Sequence, residues 1–184
     1  MRITLQANPR MWAHVPAAYP TGEFATMEEW SASIVDRYAE SRPEASNEYE
    51  AVRLIACGAS EVLSDTASFG LLFWPFPTPL ATLVQVELGP PLQPTDNALS
   101  VLLGDIPVSV QPQVETVQLP VGDGIAARFL VIAPDTQEPM AGIGYLLSTD
   151  QSSIRVLSSP TTTTMVGLLD PPLRDVVATM VITD

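Results

Sequence analysis

The feature that most constrains this chain is a change of hydrophobic period near Asp65. Before it, apolar residues recur at three- and four-residue steps. Met27, Trp30, Ile34 and Tyr38 form one stripe, and Tyr49, Val52, Ala56, Ala59 and Leu63 form a second. Such spacing gathers side chains on one face of an α-helix. After Asp65 the apolar runs shorten to strand length and are separated by turn residues. Helices gathered first and strands later predict an α+β chain with a mostly antiparallel sheet flanked by helices, because regular βα alternation is absent.

The first helix has a marked start: Thr26 and Glu29 stand at capping-box spacing. Ser41 and Glu44 repeat that spacing, with Pro43 allowed in a first turn, and predict the start of the second. Upstream, residues 3–5 read as a short strand and residues 8–22 as an irregular, proline-punctuated segment pinned by Trp12 and Tyr19. Downstream, residues 67–74 and 80–88 read as strands and residues 96–103 as a short helix capped by Thr95 or Asp96. Strands are then expected at 108–110, 115–121, 125–133, 140–148 and 154–158. Residues 161–170 resist assignment because four threonines oppose a helix. Asp170, followed by Pro171 and Pro172, is expected to cap a last helix to about Thr179, with a closing strand at 181–182. Nothing breaks the composition, so residues 1–184 are expected to form a single domain.

Several stretches of the second half resemble a group of small actinobacterial proteins of unknown function. They are residues 117–122, Ala127-Arg128-Phe129, residues 144–149 and residues 168–179. The order of elements is also similar to PsbP-like folds, which implies an antiparallel sheet flanked by helices and a role in protein assembly rather than catalysis. The resemblance carries no functional signature and assigns no residue.

Charge narrows the function classes. Twenty-one acids oppose eight bases, a net charge of −13, and every base is an arginine. Without lysine, Schiff-base chemistry and a P-loop ammonium are excluded. The acidic balance and scattered arginines predict no nucleic-acid partner and no anionic membrane surface. Cys57 is alone, so no intrachain disulfide can form, and no long apolar run opens the chain. A cytoplasmic setting is the expectation. The all-arginine, Ala- and Pro-rich composition is associated with GC-rich bacterial genomes.

Chemical motifs are weighed next. Gly122-Asp123-Gly124 begins a G-x-G-x-x-A match, but strand-like residues follow it, so a hairpin turn is expected rather than a dinucleotide site. Cys57 and His14 would be the only possible Cys–His pair, and both read as structural. The acid pairs Glu28/Glu29, Glu48/Glu50 and Asp170/Asp175 lie on predicted helix faces. No cofactor, metal or catalytic residue is expected.

Two features remain. Ten acids and three arginines fall between Glu23 and Asp65, with Glu44 and Glu48 as candidate contacts for a basic partner. Residues 73–79 concentrate aromatics and prolines at a hairpin, where Trp74 and Phe76 are either exposed interface anchors or core. The leading expectation is a non-enzymatic protein-interaction module (assembly factor, chaperone or immunity-type protein) whose partner is another protein, possibly basic, or a second copy. The alternative is a small-ligand-binding protein. A carboxylate-based hydrolase would require paired acids converging in a cleft.

Overall fold

Seven strands pair antiparallel in the spatial order Trp12–Pro16, Phe69–Phe73, Thr82–Gly89, Ser153–Ser158, Pro139–Ser148, Gly122–Ile132 and Gln113–Leu119, and a separate antiparallel pair joins Arg2–Thr4 to Val181–Thr183. The computed structural model describes residues 1–75 and 80–183. Phe76 and its neighbours 77–79 lie outside the described residues. In chain order the elements are β1 (Arg2–Thr4), β2 (Trp12–Pro16), α1 (Met27–Ser41), a 3-10 turn (Ser46–Glu48) and α2 (Tyr49–Glu61). There follow β3 (Phe69–Phe73), β4 (Thr82–Gly89), α3 (Ala98–Leu103), β5 (Gln113–Leu119) and β6 (Gly122–Ile132). The chain closes with β7 (Pro139–Ser148), β8 (Ser153–Ser158), α4 (Thr163–Ala178) and β9 (Val181–Thr183). The α+β class and the mostly antiparallel sheet read from the sequence are therefore what the chain forms.

The connection through α3 carries the chain from β4 to the far edge, where β5 is laid down. The meander β5-β6-β7-β8 then walks back until β8 fills the place beside β4. Alternation along each strand divides the apolar residues between two faces. On one face Leu72, Trp74 and Leu83 pack with Trp30, Ile34 and Tyr38 of α1 and Val52, Ala56 and Ala59 of α2. The same face continues to α3, where Leu102 and Leu103 cover Phe129, Leu146 and Leu157. On the opposite face Leu71, Phe73, Val84, Tyr145 and Val156 pack against Leu169, Leu173 and Val177 of α4. With both faces covered, β7 is buried from Ala141 to Leu147. Each aliphatic or Phe side chain buried this way contributes about 1.5–3 kcal/mol.

Local chemistry explains the boundaries. Thr26 Oγ1 accepts from Glu29 N at 3.3 Å and Glu29 Oε2 accepts from Ala25 N at 2.8 Å, so the expected cap starts α1. The expected second cap does not form. Ser41 still belongs to α1 and its hydroxyl donates to the Arg37 carbonyl; Pro43 and Glu44 make a turn, and α2 begins at Tyr49 after the 3-10 turn. Residues 8–22 are not irregular throughout, because Trp12–Pro16 pair with β3. That pairing places Pro16 on an edge strand, where its missing N–H is tolerated. The cap of α3 is Asn97, whose side chain accepts from Ser100 N at 3.0 Å, one or two residues later than expected. Residues 108–110 contribute only an isolated bridge, Val108 to Val131.

The β5–β6 turn sits at Pro120-Val121, and Gly122-Asp123-Gly124 already belong to β6. Gly122 has φ +154°, and a Cβ there would stand 2.5 Å from the Ser148 carbonyl oxygen. Close strand approach, not a phosphate, requires that glycine. Gly142 faces Phe129 across the β6–β7 ladder, and the Phe129 ring covers it so closely that a Cβ would lie 2.2 Å from the ring.

The last helix is the largest departure. Thr162 caps it, accepting from Met165 N at 3.2 Å, and Pro171 and Pro172 lie inside it rather than at its start. Two prolines remove the donors owed to the carbonyls of Gly167 and Leu168, and both of those residues are exposed to water, which can replace the lost donors. Burial of Met165, Val166 and Leu169 overrides the poor helix propensity of the threonine run.

Candidate functional site

Trp74 is 2% exposed and packs beside Tyr38 at a ring separation of 5.8 Å. Of the two alternatives left open by the sequence, exposed anchor or core, Trp74 takes the core one. The other aromatic of that segment, Phe76, lies outside the described residues. The acidic candidates divide as well. The Glu44 side chain is 68% exposed and pairs with Arg42 at 3.2 Å. Arg42 and its own backbone amide hold the Glu44 carboxyl below the usual range, the backbone bond contributing most. Glu48 is half-buried, accepts from the Tyr38 hydroxyl and stands 3.7 Å from Arg42. Burial first and Glu48 second push the Tyr38 phenol up. Glu48 thus ties the turn to α1 and is a structural residue before it is a surface one.

Around these, α1 and α2 form a layer with one sign of charge. Glu23, Glu28, Glu29, Asp36, Glu40, Glu44, Glu50, Glu61 and Asp65 are all exposed. The three arginines of the layer are engaged: Arg37 with the carbonyls of Pro9 and Trp12, Arg42 with Glu44 and Glu48, and Arg53 with Glu50 at 3.3 Å. Along α2 and its C-cap, interleaved in sequence with Glu50, Glu61 and Asp65, runs an apolar ridge that inward-stripe reasoning missed. Leu54 and Val62 are each 62% exposed, and Gly58 between them opens onto empty space within 4 Å. Positions 54, 58 and 62 are successive four-residue steps, the signal that could have revealed them.

The opposite face holds a different cluster. Arg128 on β6 donates to Asp170 on α4 through Nε at 2.9 Å and a terminal nitrogen at 2.5 Å. Glu115 on β5 pairs with Arg174, one turn beyond Asp170, and lies 4.0 Å from Arg128. The sheet register sets Glu115, Ala126 and Tyr145 in one row, and the small Ala126 leaves room for the Tyr145 phenol. That hydroxyl is enclosed and makes no hydrogen bond of normal geometry; burial pushes its pKa up, against a smaller opposing pull from the nearby Arg174 guanidinium. Two carboxylates do converge here, but both are bound in ion pairs that pin α4 to β5–β6. Beside them is a cavity of about 340 Å³, walled chiefly by Arg128, Leu130, Ala141, Val166 and Asp170. The acid pairs weighed in the sequence are held apart: Glu29 caps α1, Glu48 and Glu50 bind different groups, and Asp175 is exposed.

A larger groove of about 780 Å³ runs between β1 and the β2–β3 side of the sheet. Trp12, Phe69, Leu71 and Leu88 line it together with Arg2, His14 and Arg37. His14 stacks on Phe69 with ring centroids 5.2 Å apart. Burial pushes its pKa below the ordinary 6.5; Glu23 opposes this and Arg2 adds to it. His14 and Cys57 cannot cooperate, because His14 projects to the α4 side of the sheet and α2 carries Cys57 on the other.

Among the described residues, no group of three or more His, Cys, Asp or Glu side chains could hold a metal ion, and no helix is long and apolar enough to cross a membrane. No family model, curated protein or solved structure matches the chain.

Proposed function

We propose that this chain is a non-enzymatic interaction module whose α1–α2 layer docks a partner protein with a basic surface. The observation that carries the reading is the Leu54–Gly58–Val62 ridge interleaved with exposed carboxylates in a layer whose own arginines are all engaged. Apolar anchors at the centre of a patch supply binding energy, and a rim of one sign steers the partner and rejects like-charged surfaces. The same carboxylates repel a second copy, so the partner on this face is a different protein. Assembly factor, chaperone and immunity-type roles all fit such a surface, as does the PsbP-like resemblance, and a cytoplasmic setting belongs to the same reading.

The test is comparative capture from the host. The native chain should retain a basic protein that is released as salt rises, because screening acts over about 8–10 Å at physiological ionic strength. Leu54→Arg and the double change Glu50→Arg with Glu61→Arg alter exposed positions and should lose that protein while unfolding at the native midpoint. Identical capture by native and variant chains refutes the reading. A second reading, a small-ligand-binding protein, is favoured by the grooves on the α4 face.

A further inference from the structure

We propose that the groove between β1 and the β2–β3 side of the sheet binds a free amphipathic anion, its tail along Leu5, Phe69 and Leu88 and its carboxylate beside Arg2 and His14. Charge placement is the first argument. A chain with 21 acids and eight arginines gathers two of those arginines and its sole histidine along this groove, and no carboxylate lines it. An anion entering it leaves the repulsion of the acidic surface for the one concavity lined by cations and no acid among the larger described grooves.

The second argument is the floor. Trp12, Phe69 and Leu71 are buried core residues beneath the groove, and the half-buried Leu5 and Leu88 supply its accessible apolar surface. A volume of about 780 Å³ lies within the range of sites for small organic ligands. Such sites pair an apolar wall with a few polar groups that fix orientation. Here the polar groups sit at the rim. Arg37 is held there by the carbonyls of Pro9 and Trp12, and His14 by its stack on Phe69. Glu23 acts on His14 from outside the lining.

The same chemistry could come from a lipid bilayer or from a dissolved molecule. A net charge of −13 opposes approach to an anionic bilayer, so the ligand is the free monomer. The floor of the groove lies on the opposite face of the sheet from the Leu54–Val62 ridge, and of the α1–α2 layer only Arg37 reaches its edge, so either proposal can fail alone.

Dodecanoate below its micelle concentration is the probe, with dodecyltrimethylammonium and dodecanol as charge controls. Because His14 is the sole histidine, its Hε1 proton gives a single assignable NMR signal. Dodecanoate should saturate with one molecule per chain, shift that signal and raise the His14 pKa. Arg2→Glu, at an exposed position, should weaken binding by about tenfold or more with an unchanged unfolding midpoint, and Arg2→Gln by less. The proposal is overturned by absent saturation, by equal binding of the ammonium amphiphile, by a motionless His14 signal or by an Arg2→Glu chain that binds as the native one does. Binding to phosphatidylglycerol vesicles without binding of the monomer also overturns it, in favour of a membrane surface.

Discussion

Replacing Trp74 with alanine separates core from interface most directly. The side chain is 2% exposed and sits among Ala13, Ile34, Tyr38 and Leu72, with its backbone N donating to the Met11 carbonyl at 2.8 Å. Truncation leaves that backbone bond intact and removes the whole indole from an enclosed site. Lost burial and the residual cavity together cost about 3–5 kcal/mol for a buried aromatic. Of this, about 0.5–1.5 kcal/mol belongs to the ring pair with Tyr38 and should appear as coupling in a double-mutant cycle. Native domains hold only about 5–15 kcal/mol in total, so the variant should be near the edge of stability. In urea titration followed by far-UV circular dichroism, a slope of about 1–3 kcal/mol per molar puts the midpoint at least about 1 M lower, with the slope unchanged. A loss below about 1 kcal/mol would refute the packing argument, since surface changes fall in that range, and would return Trp74 to the set of interface candidates.

Tyr145→Phe should stabilise the protein by about 1 kcal/mol, because it removes a buried hydroxyl that makes no hydrogen bond of normal geometry; a loss in thermal or urea unfolding would mean the hydroxyl is bonded to Arg174. The folded phenol's pKa is raised, so its contribution is complete below pH 10 and is lost as pH rises toward the folded value; the phenylalanine variant should lose less stability in that alkaline window. Gly142→Ala should cost about 1–3 kcal/mol by urea titration, since the new methyl meets the Phe129 ring, and Phe129→Leu should relieve part of that cost. His14 has a lowered folded pKa, so stability present above pH 6.5 should fall as pH drops through the folded value, and His14→Gln should flatten that limb of a pH series of urea midpoints.

The parts of the fold legible in the sequence are those fixed by local chemistry together with a strong period. Thr26 and Glu29 announced α1 because both halves of the cap lie within four residues. Ser41 and Glu44 show the same spacing and start nothing, because Tyr38 and Ala45 are buried around them and hold the chain in a turn. The α4 boundaries were hidden for the converse reason: threonines and prolines oppose a helix locally, and only contact with β7 and its neighbours makes one. Strand β2 was obscured by Pro16, which an edge position tolerates. For the site, most acids of α1 and α2 face solvent as inferred, but Glu48 and Asp170 are half-buried in contacts with Tyr38 and Arg128 that no local pattern shows, and Trp74 could not be placed without knowing that α1 covers it. Arg2, His14 and Arg37 carry no shared sequence signal, since the β2–β3 pairing and the path of β1 bring them together.

The pairing of β1 with β9 has a consequence for the order in which the molecule assembles. Arg2 and Thr183 are 181 positions apart, and only three residue pairs join the strands. A contact that closes so long a loop gains little until the intervening chain is already folded, because its closure entropy must be offset by few bonds. The two-stranded sheet, clamped by reciprocal bonds between Gln6 and Thr179 at 2.9 and 3.1 Å, therefore forms last and opens first. In native-state hydrogen exchange the amides of residues 2–4 and 181–183 should exchange well ahead of those in β7. Because β1 lines the groove, such an opening should widen it, and the proposed ligand should enter on the timescale at which those amides exchange.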